Sequence, residues 1–276
     1  MLVGFRNIIL AGGMLFILLL LAGLFLGLYL LFAGNFSLAD FSALQSNVWW
    51  FTYENLAEDS AYLWALVSII TIFVLILCAG FVLRILFRKT AAPELFFFII
   101  FLFTFAFEGL RVLNILFYFY KVPLYLEVFN SRFVYFGRIF GVFMLFCASL
   151  YAVEMKYQKF NIVIGVFALA ALLLAYLLPL DPSILLTNFL YRLGDESSFF
   201  FINFAIALFS ILNFLVAAVK RQGRFLPIMF AVLSVLGGRE LLFYTLNPWM
   251  LAAGLALVCG GIIVFSKQID KIYLWF

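Results

Sequence analysis

Four polar residues recur along one face of a long apolar segment, and their types and spacing suit the binding of a charged group. In chain order they are Glu108, Arg111, Asn114 and Tyr118, all within residues 95–120. On a helix they form a single stripe about 120° wide. An arginine at the middle of a lipid-embedded helix costs about 2.5–3.5 kcal/mol. We therefore predict that the stripe faces the interior of a helix bundle or water.

Two further apolar segments carry internal charges. Arg138 lies five residues after the predicted start of its segment, and a later segment carries Arg239 and Glu240, with Tyr244 one turn further on. If the three arginines and two glutamates converge, one positive charge is in excess. The planar guanidinium of arginine binds carboxylates and phosphates through two parallel hydrogen bonds. We therefore predict an outward-facing polar cluster that binds a small anion or a lipid head group.

The same charges also have a structural interpretation. Glu108 and Arg111 are i,i+3 neighbours on a helix, and Arg239 is adjacent to Glu240. Each pair is able to neutralise itself and hold its helix in register, while Arg138 extends to the outer lipid head groups. The sequence leaves the functional and structural interpretations both open.

Membrane-spanning helices are the predicted elements that position these residues. Apolar residues make up 68% of the chain and charged residues only 11%. A soluble domain has no means of burying so much apolar surface, so the lipid bilayer is the first predicted partner. The apolar runs are about twenty residues long and do not alternate, which indicates helices and not a barrel. The predicted fold class is an all-α polytopic integral membrane protein.

Eight spans are predicted, with a seven-span alternative in which the last two are merged or misplaced. The eight are 8–32, 61–86, 95–120, 133–153, 160–180, 199–219, 225–246 and 250–266. One set of span ends holds eleven Lys and Arg residues and the other holds three. Because positive charge accumulates on the cytoplasmic side, we predict that both termini are cytoplasmic, in a bacterial inner membrane.

The two halves of the chain share a pattern that predicts an internal repeat. Pro93 and Pro227 each open a span, and Arg111 and Arg239 lie deep within those spans. We predict one transmembrane domain, 1–276, built from two tandem parallel four-helix repeats, 1–156 and 157–276. A pseudo-twofold axis along the membrane normal would relate them.

Several polar residues and loops complete the predictions. Interhelical hydrogen bonds are expected from Ser68, Thr71, Asn203, Ser210 and Asn213. Close helix contacts are expected at the glycines of the first span and of the last, namely Gly23, Gly27, Gly254 and Gly261. The outer loops 34–60 and 181–198 are predicted to be amphipathic pieces that lie at the membrane interface.

No catalytic pattern is found in the sequence. There is no histidine, and the three cysteines all lie in apolar spans. The commonest metal ligand and the commonest general base are therefore missing, and no HExxH, GxSxG or phosphate-loop pattern occurs. We predict no enzymatic activity, no metal and no cofactor. Nucleic acid is not an expected partner, because the net charge of +4 is divided among short clusters between the spans.

Three functional hypotheses follow. The leading one is a transporter-like or ligand-binding membrane protein whose site is the cluster of intramembrane charges. The second is a sensory or receptor-type subunit that signals through a separate membrane or cytoplasmic partner. The third is a scaffold or assembly subunit whose charges pair with another membrane chain.

Overall fold

The computed structural model describes residues 2–33, 61–86, 92–154, 159–220 and 223–274, which are almost entirely helical. In chain order the elements are α1 (Leu2–Ala33), α2 (Ala61–Leu86), α3 (Pro93–Glu108), α4 (Arg111–Phe119), α5 (Leu124–Ala152), α6 (Phe160–Leu177), β1 (Leu180–Leu185), β2 (Tyr191–Leu193), α7 (Glu196–Lys220), α8 (Leu226–Phe243) and α9 (Pro248–Leu274).

Eight helical segments of the described chain are long and apolar enough to cross a membrane. Seven are single helices, while α3 and α4 together form the third span. The prediction of an all-α polytopic membrane protein with eight spans is thus confirmed. The seven-span alternative is wrong, because α8 ends at Phe243 and α9 begins at Pro248 as a separate helix. The division into two four-helix repeats stays a prediction.

The third span bends where the sequence predicts one straight helix. Gly109 and Leu110 separate α3 from α4, and their N–H groups donate to the carbonyls of Ala106 and Phe107, three residues back. This is the tighter 3₁₀ geometry, which is common at helix ends. A Cβ at Gly109 would come within 2.0 Å of the Phe73 ring, so the bend lets α2 approach closely.

The core is built on α3, which is the most enclosed of the eight spans. Its phenylalanines pack in several directions. Phe98 stacks on Phe265 of α9 with ring centroids 3.8 Å apart, and Phe101 meets Phe105 edge to face at 5.1 Å. We call the packed rings of Phe98, Phe101, Phe105 and Phe265, which precede Glu108 along the third span or pack against it, the aromatic core.

Two predicted glycine contacts are present between α8 and α9. A Cβ at Gly254 would lie 3.1 Å from the carbonyl oxygen of Gly238, and one at Gly261 would lie 2.7 Å from that of Ala231. Small residues permit this close approach of backbones. Of the two glycines predicted to make contacts in the first span, Gly27 does so, with Leu116, whereas a Cβ at Gly23 would meet nothing within 4 Å.

The segment after α6 forms a β-hairpin, which differs from the predicted amphipathic piece on the membrane surface. β1 pairs with β2 antiparallel, with Leu180 opposite Leu193. The carbonyl of Phe189, at the tip, accepts a hydrogen bond from Asn114 at 2.9 Å, and Tyr191 is hydrogen-bonded to Glu127. The hairpin is therefore packed into the bundle. Loop 34–60 lies outside the described residues. We call the end of the bundle that carries this hairpin the hairpin side.

The predicted interhelical hydrogen bonds are only partly present. Ser68 donates to the carbonyl of Leu242 on α8, and Asn213 donates to Ser149 on α5 at 3.1 Å. The other three side chains, Thr71, Asn203 and Ser210, each donate to the carbonyl four residues back in their own helix. A short polar side chain on a helix finds this local acceptor more readily than a partner on a neighbouring helix.

Candidate functional site

Three spans bring five charged residues together on the hairpin side of the aromatic core. Glu108 ends α3 and Arg111 begins α4, Arg138 lies in α5, and Arg239 and Glu240 lie near the end of α8. We call these five residues the arginine cluster. All three arginines are at most 3% exposed. The cluster therefore lies inside the bundle, as the polar stripe predicts, and away from lipid.

Glu108 is the centre of the cluster. Its Oε1 accepts a hydrogen bond from Arg239 Nε at 2.7 Å and lies 3.4 Å from Arg138 Nη1. Its side chain is completely buried. The expected self-neutralising pair with Arg111 is absent, because Arg111 Nε donates at 2.8 Å to the backbone carbonyl of Glu108 instead. Glu108 thus links α3 to α5 and α8.

Glu240 pairs with Arg138 across the helix interface and not with its neighbour Arg239. Arg138 Nη2 lies 2.5 Å from Oε1 and 2.6 Å from Oε2 of Glu240. The Glu240 side chain is 29% exposed, whereas the Arg138 side chain is 4% exposed. The structural interpretation expected an Arg239–Glu240 pair. Glu240 instead pairs with Arg138, and its side chain is partly exposed.

Arg138 lies far deeper in its helix than the sequence indicates. The predicted span begins at residue 133, but α5 begins at Leu124, so Arg138 is fourteen residues inside the helix. At 1.5 Å per residue this is about 21 Å from the helix start. Extension of Arg138 to the outer head groups is therefore wrong. The predicted span begins too late because Glu127, Asn130 and Arg132 lower the hydropathy of residues 124–132, although this stretch is helical.

The ring of Phe243 makes cation–π contacts with two arginines of the cluster. The Cζ atom of Arg138 lies 3.7 Å from the centroid of the Phe243 ring, and that of Arg111 lies 4.5 Å from the same centroid. Arg111 Nη1 also donates to the Phe243 carbonyl at 2.9 Å. An aromatic face attracts cations, and the attraction is strongest where water is excluded. Phe243 therefore allows two like charges to lie near one another.

The described partners do not satisfy the whole cluster. The Nη2 atoms of Arg111 and Arg239 and the Oε2 atom of Glu108 are buried and have no hydrogen-bond partner among the described residues. Three guanidinium groups face two carboxylates, which leaves one positive charge in excess. Buried polar atoms and buried charges normally have partners. The cluster is thus electrostatically disposed to accept a further anionic group.

A cavity of about 710 Å³ reaches the cluster from the side. It lies between α5, α7 and α8, and Arg138 and Glu240 are the charged residues that line it. The remaining wall is mostly apolar and includes Val142 of α5, Phe204 of α7 and Leu236 of α8. Ligand sites in proteins typically measure about 300–1,000 Å³ and combine an apolar wall with a few polar groups. The cavity has both properties.

Three of the eight residues in the predicted site lie outside the arginine cluster. Asn114 is buried in a separate polar network, where it donates to Ser131 at 2.9 Å and accepts from Asn130 at 2.7 Å. Tyr118 is 52% exposed, two helical turns beyond Arg111. Tyr244 is buried with its ring 4.8 Å from that of Phe243 and 5.8 Å from Arg138 Cζ, so it borders the cluster.

Sequence reasoning missed Phe243 and the cavity wall that α7 provides. Phe243 is one of 39 phenylalanines, and in the sequence only its position one helical turn after Arg239 distinguishes it. The α7 residues that line the cavity carry no charge. Asn130 and Ser131 were detectable in principle, because they lie one turn from Val134 at helical spacing. The predicted start of that span at 133 excluded them.

Comparison with known proteins gives no match, since no family model, no curated protein and no solved structure matches the chain. The geometry and charge of the cluster and cavity are therefore the basis for assigning a function.

Proposed function

We propose that this membrane protein binds a ligand with an anionic group, and that Arg138 holds this group in the cavity between α5, α7 and α8. One observation carries the proposal. The Arg138–Glu240 pair lines a 710 Å³ cavity while the cluster behind it has one positive charge in excess. An anion that enters the cavity removes this excess.

Arg138 is the cluster arginine that an anion is able to reach. Arg239 pairs with the fully buried Glu108, and Arg111 is held by two backbone carbonyls. Arg138 instead lines the cavity, and its partner Glu240 is partly exposed. An anion competes with Glu240 for the guanidinium, and Glu240 is close enough to the surface to turn away.

The orientation and the repeat belong to the same proposal. We propose that the hairpin side faces outward, that both termini are cytoplasmic, and that the two halves are parallel repeats. The supporting features are the clustering of Lys and Arg at the opposite span ends and the proline in the first turn of both α3 and α8. Each of those spans then delivers an arginine, Arg111 or Arg239, to one cluster.

The aromatic core bears on whether the bound ligand is also transported. Between the cluster and the Lys/Arg-rich end of the bundle lie the packed rings of Phe98, Phe101, Phe105 and Phe265. Transport requires this core to open. A receptor-type subunit, which binds a ligand and signals through a partner, needs no such opening, so the closed core favours it as the second candidate function.

The binding proposal is tested by the melting temperature (Tm) of the purified protein with a panel of phosphates, sulfates and carboxylates. The central comparison is wild type with Arg138→Lys. Lysine keeps the charge but loses the bidentate fork. We expect at least one anion to raise the Tm of wild type and to have a much smaller effect on the variant. Arg132→Lys is the matched control, because Arg132 lies on the same helix over the Tyr176 ring, away from the cavity.

The outcomes separate the hypotheses. If no anion raises the Tm of wild type, the cluster is a structural device and the ligand-binding proposal is wrong. If an anion binds, uptake of that anion into liposomes containing the protein alone identifies a transporter. Binding without uptake identifies a receptor-type subunit. A second membrane chain that co-purifies in fixed ratio and abolishes anion binding points to the scaffold hypothesis.

A further inference from the structure

The cavity has a polar end and an apolar end. Its charged residues, Arg138 and Glu240, lie toward the hairpin side, because Glu240 is only three residues before the end of α8. Leu233, at the other end of the α8 wall, lies seven residues earlier, which is about 10 Å deeper in the bundle. Polarity therefore falls along the length of the cavity.

The opposite wall, provided by α7, is mostly apolar and has its polar residues at the same end. Ser197 and Asn203 line the cavity near the start of α7, among several phenylalanines, whereas only Ala207, Leu208 and Ile211 line it further along. The distance from Ser197 to Ile211 along the helix is about 21 Å. A free inorganic anion needs only the charged end, so the long apolar part of the cavity requires another explanation.

The cavity also borders the lipid-facing surface. Phe201 and Phe204, which line it, are 72% and 66% exposed on the outside of the bundle. α7 as a whole is among the least enclosed of the spans. A hydrophobic molecule is therefore able to enter between α7 and α8 from the bilayer, with no passage through water.

We propose that the ligand is an amphipathic anion of lipid type. Its phosphate or carboxylate head lies at Arg138, and its hydrocarbon chain lies between α7 and α8 along the apolar end of the cavity. This inference rests on the proposed function for the site of the head group. It adds the class of ligand and the lateral route of entry.

The head group and chain make separable contributions. The head compensates the positive charge in excess within the arginine cluster, and Arg138 supplies a bidentate contact. Each methylene group of the chain that leaves water strengthens binding from water. From a bilayer, where the chain is already in hydrocarbon, selectivity comes from the head group and from the fit of the chain in the cavity.

Gly237 offers a direct way to fill the cavity. It lies in the cavity wall on α8, one turn before Glu240, and a Cβ added there would meet nothing within 4 Å. Gly237→Leu therefore places a side chain in the space for the hydrocarbon chain, and the Cβ of that side chain has no close neighbour. Gly260→Leu is the matched control, because Gly260 is exposed on α9 and its added Cβ also meets nothing within 4 Å.

The experiment measures binding of dodecyl phosphate and of inorganic phosphate to protein in phosphatidylcholine nanodiscs. We expect dodecyl phosphate to bind wild type and Gly260→Leu equally, and Gly237→Leu at least about tenfold more weakly, which corresponds to roughly 1.4 kcal/mol. Inorganic phosphate, which lacks the hydrocarbon chain, should bind wild type more weakly than dodecyl phosphate does. Dodecanol, which has the chain without the charge, should compete poorly with dodecyl phosphate.

The inference and the proposed function fail in different ways. If both phosphates bind wild type equally and Gly237→Leu changes neither affinity, the anion site stands and the lipid-type ligand is wrong. If neither phosphate binds, both are wrong. Should Gly237→Leu fail to fold, native mass spectrometry of wild type decides. Retained anionic lipid, lost in Arg138→Lys, supports the inference, and no retained lipid overturns it.

Discussion

At the residue scale, Glu108 compensates the charges of two buried arginines. One of its oxygens is shared by Arg239 at 2.7 Å and Arg138 at 3.4 Å, in a site with no solvent exposure. Removal of one partner from a buried ion pair leaves a charge without compensation. Glu108 therefore stabilises the fold by holding two arginines of different helices, and Glu240 acts on only one of them.

The variant Glu108→Gln is expected to be destabilised by about 3–5 kcal/mol, because two buried guanidinium groups lose their shared carboxylate. The measurement is the free energy of unfolding, or the Tm, in mild detergent. Glu240→Gln is the matched control and should have a smaller effect, since its carboxylate is 29% exposed and partly solvated. Equal stability of the two variants would contradict the central position of Glu108.

At the element scale, the bend in the third span sets the geometry of the cluster. The 3₁₀ turn at Gly109 and Leu110 directs Arg111 Nε to the backbone carbonyl of Glu108 and leaves the Glu108 carboxylate for α5 and α8. A straight helix would favour the i,i+3 ion pair instead. The bend therefore converts a local pair into a contact among three spans.

We expect Gly109→Ala to destabilise the protein by about 1–3 kcal/mol, because the new methyl group overlaps the Phe73 ring in a packed core. Gly165→Ala on α6 is the control. Its Cβ meets nothing within 4 Å, so alanine should be neutral or slightly stabilising there. Thermal unfolding of both variants tests the prediction, and a neutral Gly109→Ala would show that α2 does not approach the bend closely.

The start of α7 gives a pH-dependent prediction. Hydrogen bonds from Ser198 and Ser197 lower the pKa of the Asp195 carboxyl below its usual value of 3.8. The ionised form is therefore the one that the folded state stabilises. Its contribution is fully present above the unfolded pKa and is lost as the pH falls through the lowered folded pKa.

Asp195→Asn checks this contribution, because asparagine caps a helix about as well as aspartate but carries no charge. We expect wild type to melt above the variant at pH 7 and low salt, and the difference to vanish at a pH well below 3.8. The test is a pair of Tm-against-pH curves. A difference that persists unchanged into strong acid would mean that the charge of Asp195 has no part in it.

At the scale of the whole molecule, the enclosed spans supply the buried charges, and the peripheral spans are the least buried. The third, fourth and seventh spans, α3–α4, α5 and α8, supply the arginine cluster and are at least half buried. The first, fifth and sixth, α1, α6 and α7, are the least enclosed. The cavity lies at the boundary between the two groups, where α7 meets α8. A ligand there is in contact with both the fixed charges and the lipid phase.

The sequence predicts much of this arrangement but not its pairing. Apolar length gives the eight spans, and the cost of lipid-exposed charge places Glu108, Arg111 and Arg239 inside the bundle. Which glutamate meets which arginine depends on the relative heights and rotations of α3, α5 and α8, and these follow from packing. The cavity was not predictable for the same reason. Its wall is mostly apolar, like the other helix faces, and only the packing of α5, α7 and α8 leaves a space in front of it.

The most direct test of the central claim is the affinity of dodecyl phosphate for Glu240→Gln relative to wild type. If Arg138 binds the anionic group, loss of the competing carboxylate strengthens binding, and we expect a Kd lower by about tenfold, or roughly 1.4 kcal/mol. The Tm without ligand should fall at the same time. Equal or weaker binding by Glu240→Gln would contradict the claim that Arg138 holds the anionic group.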